Sequence, residues 1–173
     1  MSLTFTVLGV LAPIGAIDVV YYHLHRFRLF AREESVREEI THLVRQATFL
    51  VAAALLVAGV RTRAVDVALV VLFALDFFTS AADVLSENDS RASLGGLPRG
   101  EYLLHFLGTF GAGVLATTYG FERATLPIAP APLWQALLLL PAGAALLLFE
   151  LFLFIRARVA ALPRRVARPG DAL

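Results

Sequence analysis

Cysteine and lysine are absent from the sequence. Without cysteine the chain has no disulfide, no thiolate metal site and no cysteine nucleophile. Because lysine is absent, all fifteen basic residues are arginine. A Walker-type phosphate loop, a G-x-S-x-G nucleophile elbow and an H-E-x-x-H zinc motif are also missing. Nucleotide hydrolysis, serine esterase and zincin chemistry therefore lack support, and four histidines are too few for the histidine boxes of membrane desaturases.

The chain also lacks a large excess of charge of either sign. The formal net charge is +1, so no bulk field attracts nucleic acid, and we expect no nucleic-acid partner. The first eighteen residues contain neither a basic segment nor a small-x-small cleavage site. We expect them to form a retained membrane span and not a signal peptide.

Apolar residues, by contrast, are abundant. They make up 58% of the chain, with a mean hydropathy of +0.75, whereas soluble domains average about 45–50%. A membrane-spanning helix needs about 20 apolar residues, and five segments are long enough: 3–22, 41–60, 64–82, 102–119 and 133–155. We predict a single transmembrane domain over residues 1–173, in contact with the lipid bilayer. Its fold class is an all-α membrane helical bundle, with a four-helix core, a fifth transmembrane helix and a basic tail at 156–173.

The distribution of arginine predicts the orientation of the chain in the membrane. Three arginines, at 61, 63 and 123, fall on one side of the five predicted spans, and the other twelve fall on the opposite side. The positive-inside rule places the arginine-rich side in the cytoplasm. We therefore expect an external N-terminus and a cytoplasmic C-terminus.

Ionisable side chains collect near the cytoplasmic ends of four consecutive predicted helices. Ionisable groups inside a membrane need partners, and they mark functional sites by default. All four histidines of the chain lie on this side. The candidate site residues are Asp18, His23, Glu38, His42, Asp76, Asp83, Glu87, Glu101 and His105.

The spacing of these residues favours a metal site. A carboxylate with a histidine three or four residues later projects both groups from one helix face, as Glu101 and His105 do. His42 has such a partner in either Glu38 or Glu39. Oxygen-rich ligation with a few imidazoles suits iron, manganese or zinc better than Cu(I), and more than four ligands would allow two ions. We expect a divalent metal cofactor, with iron (Fe) preferred over manganese (Mn) or zinc (Zn).

The choice of the first histidine ligand stays open at this level. On an unbroken α-helix Asp18 shares a face with Tyr22 and His25. If the helix ends near Tyr22, His23 is an equally good ligand. Both histidines also fit a position in the headgroup layer.

Ion pairs are the alternative interpretation for several of the acids. Asp83 and Glu87 can pair with Arg91 or Arg99 at the membrane interface. Glu150 lies in an apolar segment without a neighbouring histidine, and we expect it to pair with an arginine of the inner loops. One of the two acids that begin the second helix is expected to be solvated and paired along the helix surface.

Four motifs on consecutive helices carry a resemblance to a known family. D-x4-H, E-x3-H, D-x6-D-x3-E and a second E-x3-H resemble the pattern of a family of small uncharacterised bacterial multi-pass membrane proteins, over about residues 15–115. The resemblance implies His23 in place of His25, and Glu38 in place of Glu39. It also implies the bacterial inner membrane as the location.

This sequence departs from the family pattern at two positions. Asp76 stands where the family has glutamate, and a shorter acid changes the reach to a metal. Asn88 stands where an acid is usual. The resemblance names no reaction.

Our first hypothesis is a di-iron-like oxidoreductase that acts on a hydrophobic or lipid substrate with oxygen. A metal-assisted lipid phosphoesterase would use the same ligands, with Arg26 and Arg28 holding the phosphate. A metal or proton transporter needs a polar path to the outer face, and the outer halves of the spans show none. The remaining alternative is a structural protein with an ion-pair network and no metal, and the fifth helix could also form a homo-oligomer contact.

Overall fold

The chain folds into a bundle of long helices. The computed structural model describes the backbone of residues 2–125 and 129–166, and the side chains of these residues except 88 and 162–166. Within these ranges there is no strand, and the predicted all-α helical bundle is confirmed.

Five α-helices follow one another in the described part of the chain: α1 (Leu3–Ile17), α2 (Val36–Ala58), α3 (Arg63–Arg91), α4 (Arg99–Thr125) and α5 (Leu140–Val166). Two of them are extended at one end by a π-helix, which has wider turns than an α-helix. α1 continues without a break as a π-helix over Asp18–Phe27, and a π-helix over Gln135–Leu139 leads into α5.

The helices are apolar enough to place the protein in a membrane. In the described part of the chain, four helical segments have the length and composition to cross a bilayer: Leu3–Phe27, Val36–Ala58, Arg63–Glu87 and Gln135–Ala161. The predicted span at 102–119 lies in α4, which is not in this group because glycines, threonines and His105 interrupt its apolar run. It nevertheless packs inside the same bundle and exposes Phe106 and Phe110 on its outer face.

The helices are arranged as a closed ring. α1 packs on α4, α4 on α3, α3 on α2, α2 on α5, and α5 returns to α1. The four-residue connection between α2 and α3 makes these two an antiparallel hairpin. The Arg158 side chain of α5 donates to the backbone carbonyls of Phe30 and Arg32, which fastens α5 to the loop between α1 and α2. The fifth helix is therefore an integral part of the ring.

The interior of the ring divides into an apolar half and a polar half. The apolar half contains one cluster of buried side chains: Phe5, Leu8, Leu11, Ala52, Ala53, Leu56, Leu69 and Leu115. The polar half lies at the other end, where α1 and α3 end and α2 and α4 begin. The connection from α1 to α2 and the connection from α3 to α4 both lie at that end. Its polar residues therefore lie just before and just after these two loops in the sequence.

Glu122 of α4 fastens the start of α1 in the apolar half. Its carboxylate accepts hydrogen bonds from the Ser2 hydroxyl at 2.7 Å, the Leu3 amide at 2.7 Å and the Thr4 hydroxyl at 2.7 Å. Free amide groups and the helix dipole make a helix N-terminus a favourable place for an anion. Glu122 therefore caps α1 from another helix.

We expect Glu122→Gln to lower the free energy of unfolding, because an amide is a weaker acceptor and brings a donor that the site does not need. The expected loss is about 1–3 kcal/mol, the range for charged hydrogen bonds. Denaturant titration in detergent micelles measures it. Thr117→Val, which removes an exposed hydroxyl bonded only within α4, should change stability little. Equal stability of the two variants would contradict the capping role.

Candidate metal centre

Eleven ionisable side chains meet in the polar half of the bundle. Each is at most 7% exposed. They comprise seven carboxylates, three imidazoles and one guanidinium group: Asp18, His23, Glu38, Glu39, His42, Asp83, Glu87, Arg91, Glu101, His105 and Glu150. We call this set the buried cluster. All five helical segments of the ring contribute to it, the α1 contribution coming from its π-helical extension.

Three histidines occupy the middle of the buried cluster. The ring centroids of His23 and His42 are 3.8 Å apart, those of His42 and His105 are 5.3 Å apart, and those of His23 and His105 are 6.4 Å apart. Three charged imidazolium rings at these separations would repel one another strongly. Neutral imidazoles, each with a free lone pair, are the form that binds a metal.

Two of the histidines are held by carboxylates. His42 Nε2 lies 3.0 Å from Asp83 Oδ2. His105 lies between two acids, with its Nε2 3.0 Å from Asp18 Oδ2 and its Nδ1 2.5 Å from Glu87 Oε1. Carboxylates beside metal-binding imidazoles either share the ion or orient the ring, so this arrangement suits both roles.

His23 is different, because no described group hydrogen-bonds to either of its nitrogens. Its Nδ1 lies 3.7 Å from Glu39 Oε2 and 4.0 Å from Glu150 Oε1, and its Nε2 lies 3.7 Å from Glu101 Oε1. A buried polar group without a partner costs about 1–3 kcal/mol. Atoms that bind one ion at about 2.0–2.2 Å stand about 3–3.5 Å apart, so these separations are close to what a shared ion requires.

Among the described residues, four sets of side chains could hold an ion, each bringing its ligand atoms within 4.8 Å of one another. The sets are Asp18, His23, His42 and His105; His23, Glu39 and Glu150; His23, Glu38 and Glu101; and Asp83, Glu87 and His105. Three sets share His23, and two share His105. Since a neutral imidazole offers one lone pair, at most two ions can bind at once: one in a three-residue His23 set and one in the Asp83 set.

Arg91 is the only cation among the cluster's eleven members. It is fully buried, and its Nη2 lies 2.7 Å from Glu38 Oε1 and closer still to Glu101 Oε1. Its guanidinium group also stands over the Phe27 ring, 4.8 Å from the centroid. One guanidinium cannot balance seven buried carboxylates, and uncompensated charge is costly away from water. The cluster therefore requires further cations or protons.

Asp76 lies outside the buried cluster and belongs to none of the four sets. Its Oδ1 is 3.7 Å from Arg45 Nε, and the Nη1 of the same arginine donates to Asp83 Oδ2 at 3.3 Å. Arg45 thus lies between Asp76, which is outside the buried cluster, and Asp83, which belongs to it. Even with Arg45 included, two guanidinium groups face the seven acids of the cluster.

The π-helix determines which histidine enters the cluster. Its backbone hydrogen bonds join residues five apart, and Asp18 and His23 are separated by five positions, so both turn inward. His23 is fully buried, whereas His25 is exposed beside Tyr21. The π-helix ends at Arg28, which adopts a left-handed backbone conformation with φ of 51°. A π-turn cannot be recognised from an α-helical periodicity, which favours His25.

The first turn of α2 supplies two acids to the cluster. Adjacent residues on a helix point about 100° apart. Glu38 faces Arg91, and Glu39 faces His23, yet both are fully buried. The prediction that one of these two acids is solvated is wrong, because α2 begins inside the ring with neighbours on both sides.

Glu150 pairs differently from the sequence-based expectation. Its Oε2 accepts a short hydrogen bond from Gln46 of α2, and among the described side chains no arginine of the inner loops pairs with it. The signal available in the sequence was its depth: Glu150 is the only acid in the fifth apolar segment. The expected pairing of Asp83 and Glu87 with Arg91 or Arg99 is also replaced, by contacts to His42, Arg45 and His105.

No family model matches this sequence, and neither the curated proteins nor the solved structures contain a similar one. The resemblance to bacterial multi-pass membrane proteins therefore stays a prediction. The chemistry of the buried cluster is the basis on which a function can be inferred.

We expect Arg91→Met to destabilise the protein, because the change leaves Glu38 and Glu101 buried without their cation. Loss of one partner of a buried ion pair costs about 3–5 kcal/mol, measurable by denaturant unfolding in detergent. Arg99→Met removes an exposed arginine eight positions away and should have little effect. Adding Glu101→Gln to Arg91→Met should recover part of the loss. Strictly additive losses would contradict the pairing.

Proposed function

We propose that this protein is a membrane-embedded, metal-dependent oxidoreductase whose buried cluster holds one or two ions of iron or manganese. The observation that carries the proposal is the convergence of three imidazoles and seven carboxylates in one buried site of an apolar helical bundle. Helical bundles build metal centres from such carboxylate and histidine pairs on facing helices. When bound, the metal would supply electrons for reaction with dioxygen.

The charge of the site supports bound divalent cations. With Asp76 included, eight buried carboxylates face Arg91 and Arg45, an excess of six negative charges when all are ionised. Two divalent ions would reduce this excess to two. The carboxylates outnumber the imidazoles, and such hard, oxygen-rich donor sets favour iron, manganese or zinc over copper.

The surroundings favour oxidation over phosphoester hydrolysis. A phosphoesterase needs arginines free to hold the anion, and both Arg26 and Arg28 are exposed on the outside of the bundle. Arg26 stacks over Tyr22 and Phe27, 5.8 Å and 5.1 Å from the ring centroids. Inside the site, Arg91 is already engaged by two glutamates.

A hydrophobic substrate fits the outer surface around the centre. The outward faces of α3 and α4 near the buried cluster expose apolar side chains: Phe77, Phe78, Val84, Leu85, Tyr102, Leu103 and Phe106. Molecules that approach these faces do so from the lipid phase. We infer a lipid or another apolar molecule as the substrate class.

Transport is a weaker candidate, because the apolar half of the bundle separates the cluster from the opposite end. Leu8, Leu11 and Leu115 fill the interior there and are 0–6% exposed. An ion that left the cluster in that direction would meet no ligand among these side chains. The arginine distribution favours the cytoplasmic side of an inner membrane for the cluster.

We expect the protein, purified in mild detergent without chelator, to contain one or two iron or manganese ions per chain. The double variant His23→Ala and His105→Ala should lose them, because each of the four candidate sets contains at least one of these two rings. Elemental analysis measures the content, and Mössbauer spectroscopy of an iron-loaded sample distinguishes a coupled pair from single ions. His25→Ala, at an exposed histidine, should retain all of the metal.

The outcomes separate the alternatives. Zinc in place of iron or manganese would redirect the proposal to hydrolysis. No metal in the wild-type protein, even after reconstitution with Fe(II) and Mn(II), would overturn it and leave an ion-pair network.

Removal of the metal should lower the thermal unfolding midpoint, because the carboxylates then repel one another. At free metal about 100 times the dissociation constant, each occupied site adds about 2.7 kcal/mol of stability. Circular dichroism melting of chelator-treated and Mn(II)-restored protein measures the difference. The double histidine variant should respond much less to Mn(II), and an unchanged wild-type midpoint would argue against a buried metal.

A further inference from the structure

The fifth helix contributes one ionisable residue to the buried cluster. Glu150 is fully buried in an otherwise apolar segment. Its Oε2 accepts from the Gln46 amide, and no described group donates to its Oε1. That free oxygen lies 4.0 Å from His23 Nδ1. The amide thus holds one oxygen of the carboxylate and leaves the other facing the histidine.

Glu39 of α2 approaches the same side of His23. Its Oε2 lies 3.7 Å from Nδ1, and neither of its carboxylate oxygens has a hydrogen-bond partner among the described groups. Glu39 and Glu150 are each fully buried. Two adjacent carboxylates that have one amide donor and no cation between them repel each other strongly away from water, so this pocket needs a cation or a proton.

The ligand atoms of this pocket are arranged for one ion. One atom each from His23, Glu39 and Glu150 lies within 4.8 Å of the others, and the three residues come from three different helical segments. Two carboxylate oxygens and one imidazole nitrogen suit Fe(II), Mn(II) or Zn(II). Gln46 would orient Glu150 from behind, as outer partners of metal-binding carboxylates do.

We propose that His23, Glu39 and Glu150 form a separate metal site, here called the α5 site, beside an ion held by Asp83, Glu87 and His105. The two sets share no residue, so both can be filled together. The inference deepens the proposed function and rests on it, since it takes the cluster to be a metal centre. It also gives the fifth helix a role in the chemistry. Without Glu150 the four other helices retain the Asp83 site and a set around His23 whose two glutamates, Glu38 and Glu101, are already paired with Arg91.

The test counts ions in the full chain. Wild-type protein in detergent is stripped with chelator and titrated anaerobically with Fe(II) or Mn(II), and bound metal is measured after desalting. We expect two ions in the wild type, one in Glu150→Gln and one in His105→Ala. Glu122→Gln, which alters a buried acid at the opposite end of the bundle, should retain two.

A second variant tests the α5 site independently, in case Glu150→Gln does not fold. Gln46→Ala leaves all three ligands in place and should weaken binding of one ion only, by about 10–100-fold, the usual effect of losing an outer partner. Size-exclusion chromatography and circular dichroism establish that each variant is folded. Full metal content in Glu150→Gln, with both dissociation constants unchanged in Gln46→Ala, would overturn the α5 site and leave the proposed function intact. No metal in any sample would overturn both.

Discussion

Seven carboxylates lie together in the buried cluster with little access to water, and the stability of the structure depends on how the repulsion among them is compensated. Carboxylates avoid the interior unless a cation or a donor compensates each of them. Arg91 compensates two, Glu38 and Glu101, and Arg45 reaches a third, Asp83. The others face imidazoles, one amide or each other. Such a site requires further positive charge, which protons or the proposed metal ions would supply.

The architecture follows from bringing these groups to one depth. The two short connections at the polar end, from α1 to α2 and from α3 to α4, place two helix ends and two helix starts side by side. The π-helix then turns Asp18 and His23 inward together. α5 closes the ring and covers the remaining side with Glu150. The apolar half packs Leu8 and Leu115 among other apolar side chains, and this packing can offset part of the cost of the charged half.

Hydropathy and spacing were enough to predict the bundle and most of the buried cluster, because both are properties of single segments. Glu101 and His105 could be predicted as site residues because they are four positions apart, which is one helical turn. His23 was undetermined because its orientation depends on a π-turn, which the α-helical period does not encode. Glu150 was missed because its neighbours come from helices more than a hundred residues earlier in the chain. Asp76 was predicted as a metal ligand because of its depth in an apolar segment. Depth alone does not show whether an acid contacts a histidine or, as Asp76 does, an arginine.

In the proposed metal centre, the same imbalance of charge would couple metal binding to folding. Ligands that repel one another in the empty site lower the stability of the bundle, and an ion that binds only the folded chain returns that free energy on binding. His23 concentrates this coupling, since it belongs to three of the four ligand sets and its nitrogens have no described hydrogen-bond partner. In the proposed metal centre, two of those sets could be filled beside the Asp83 set. One pairs His23 with Glu38 and Glu101, which Arg91 already engages, and the other requires Glu150. The packing of α5, which carries Glu150, would therefore favour a centre with two ions over a centre with one.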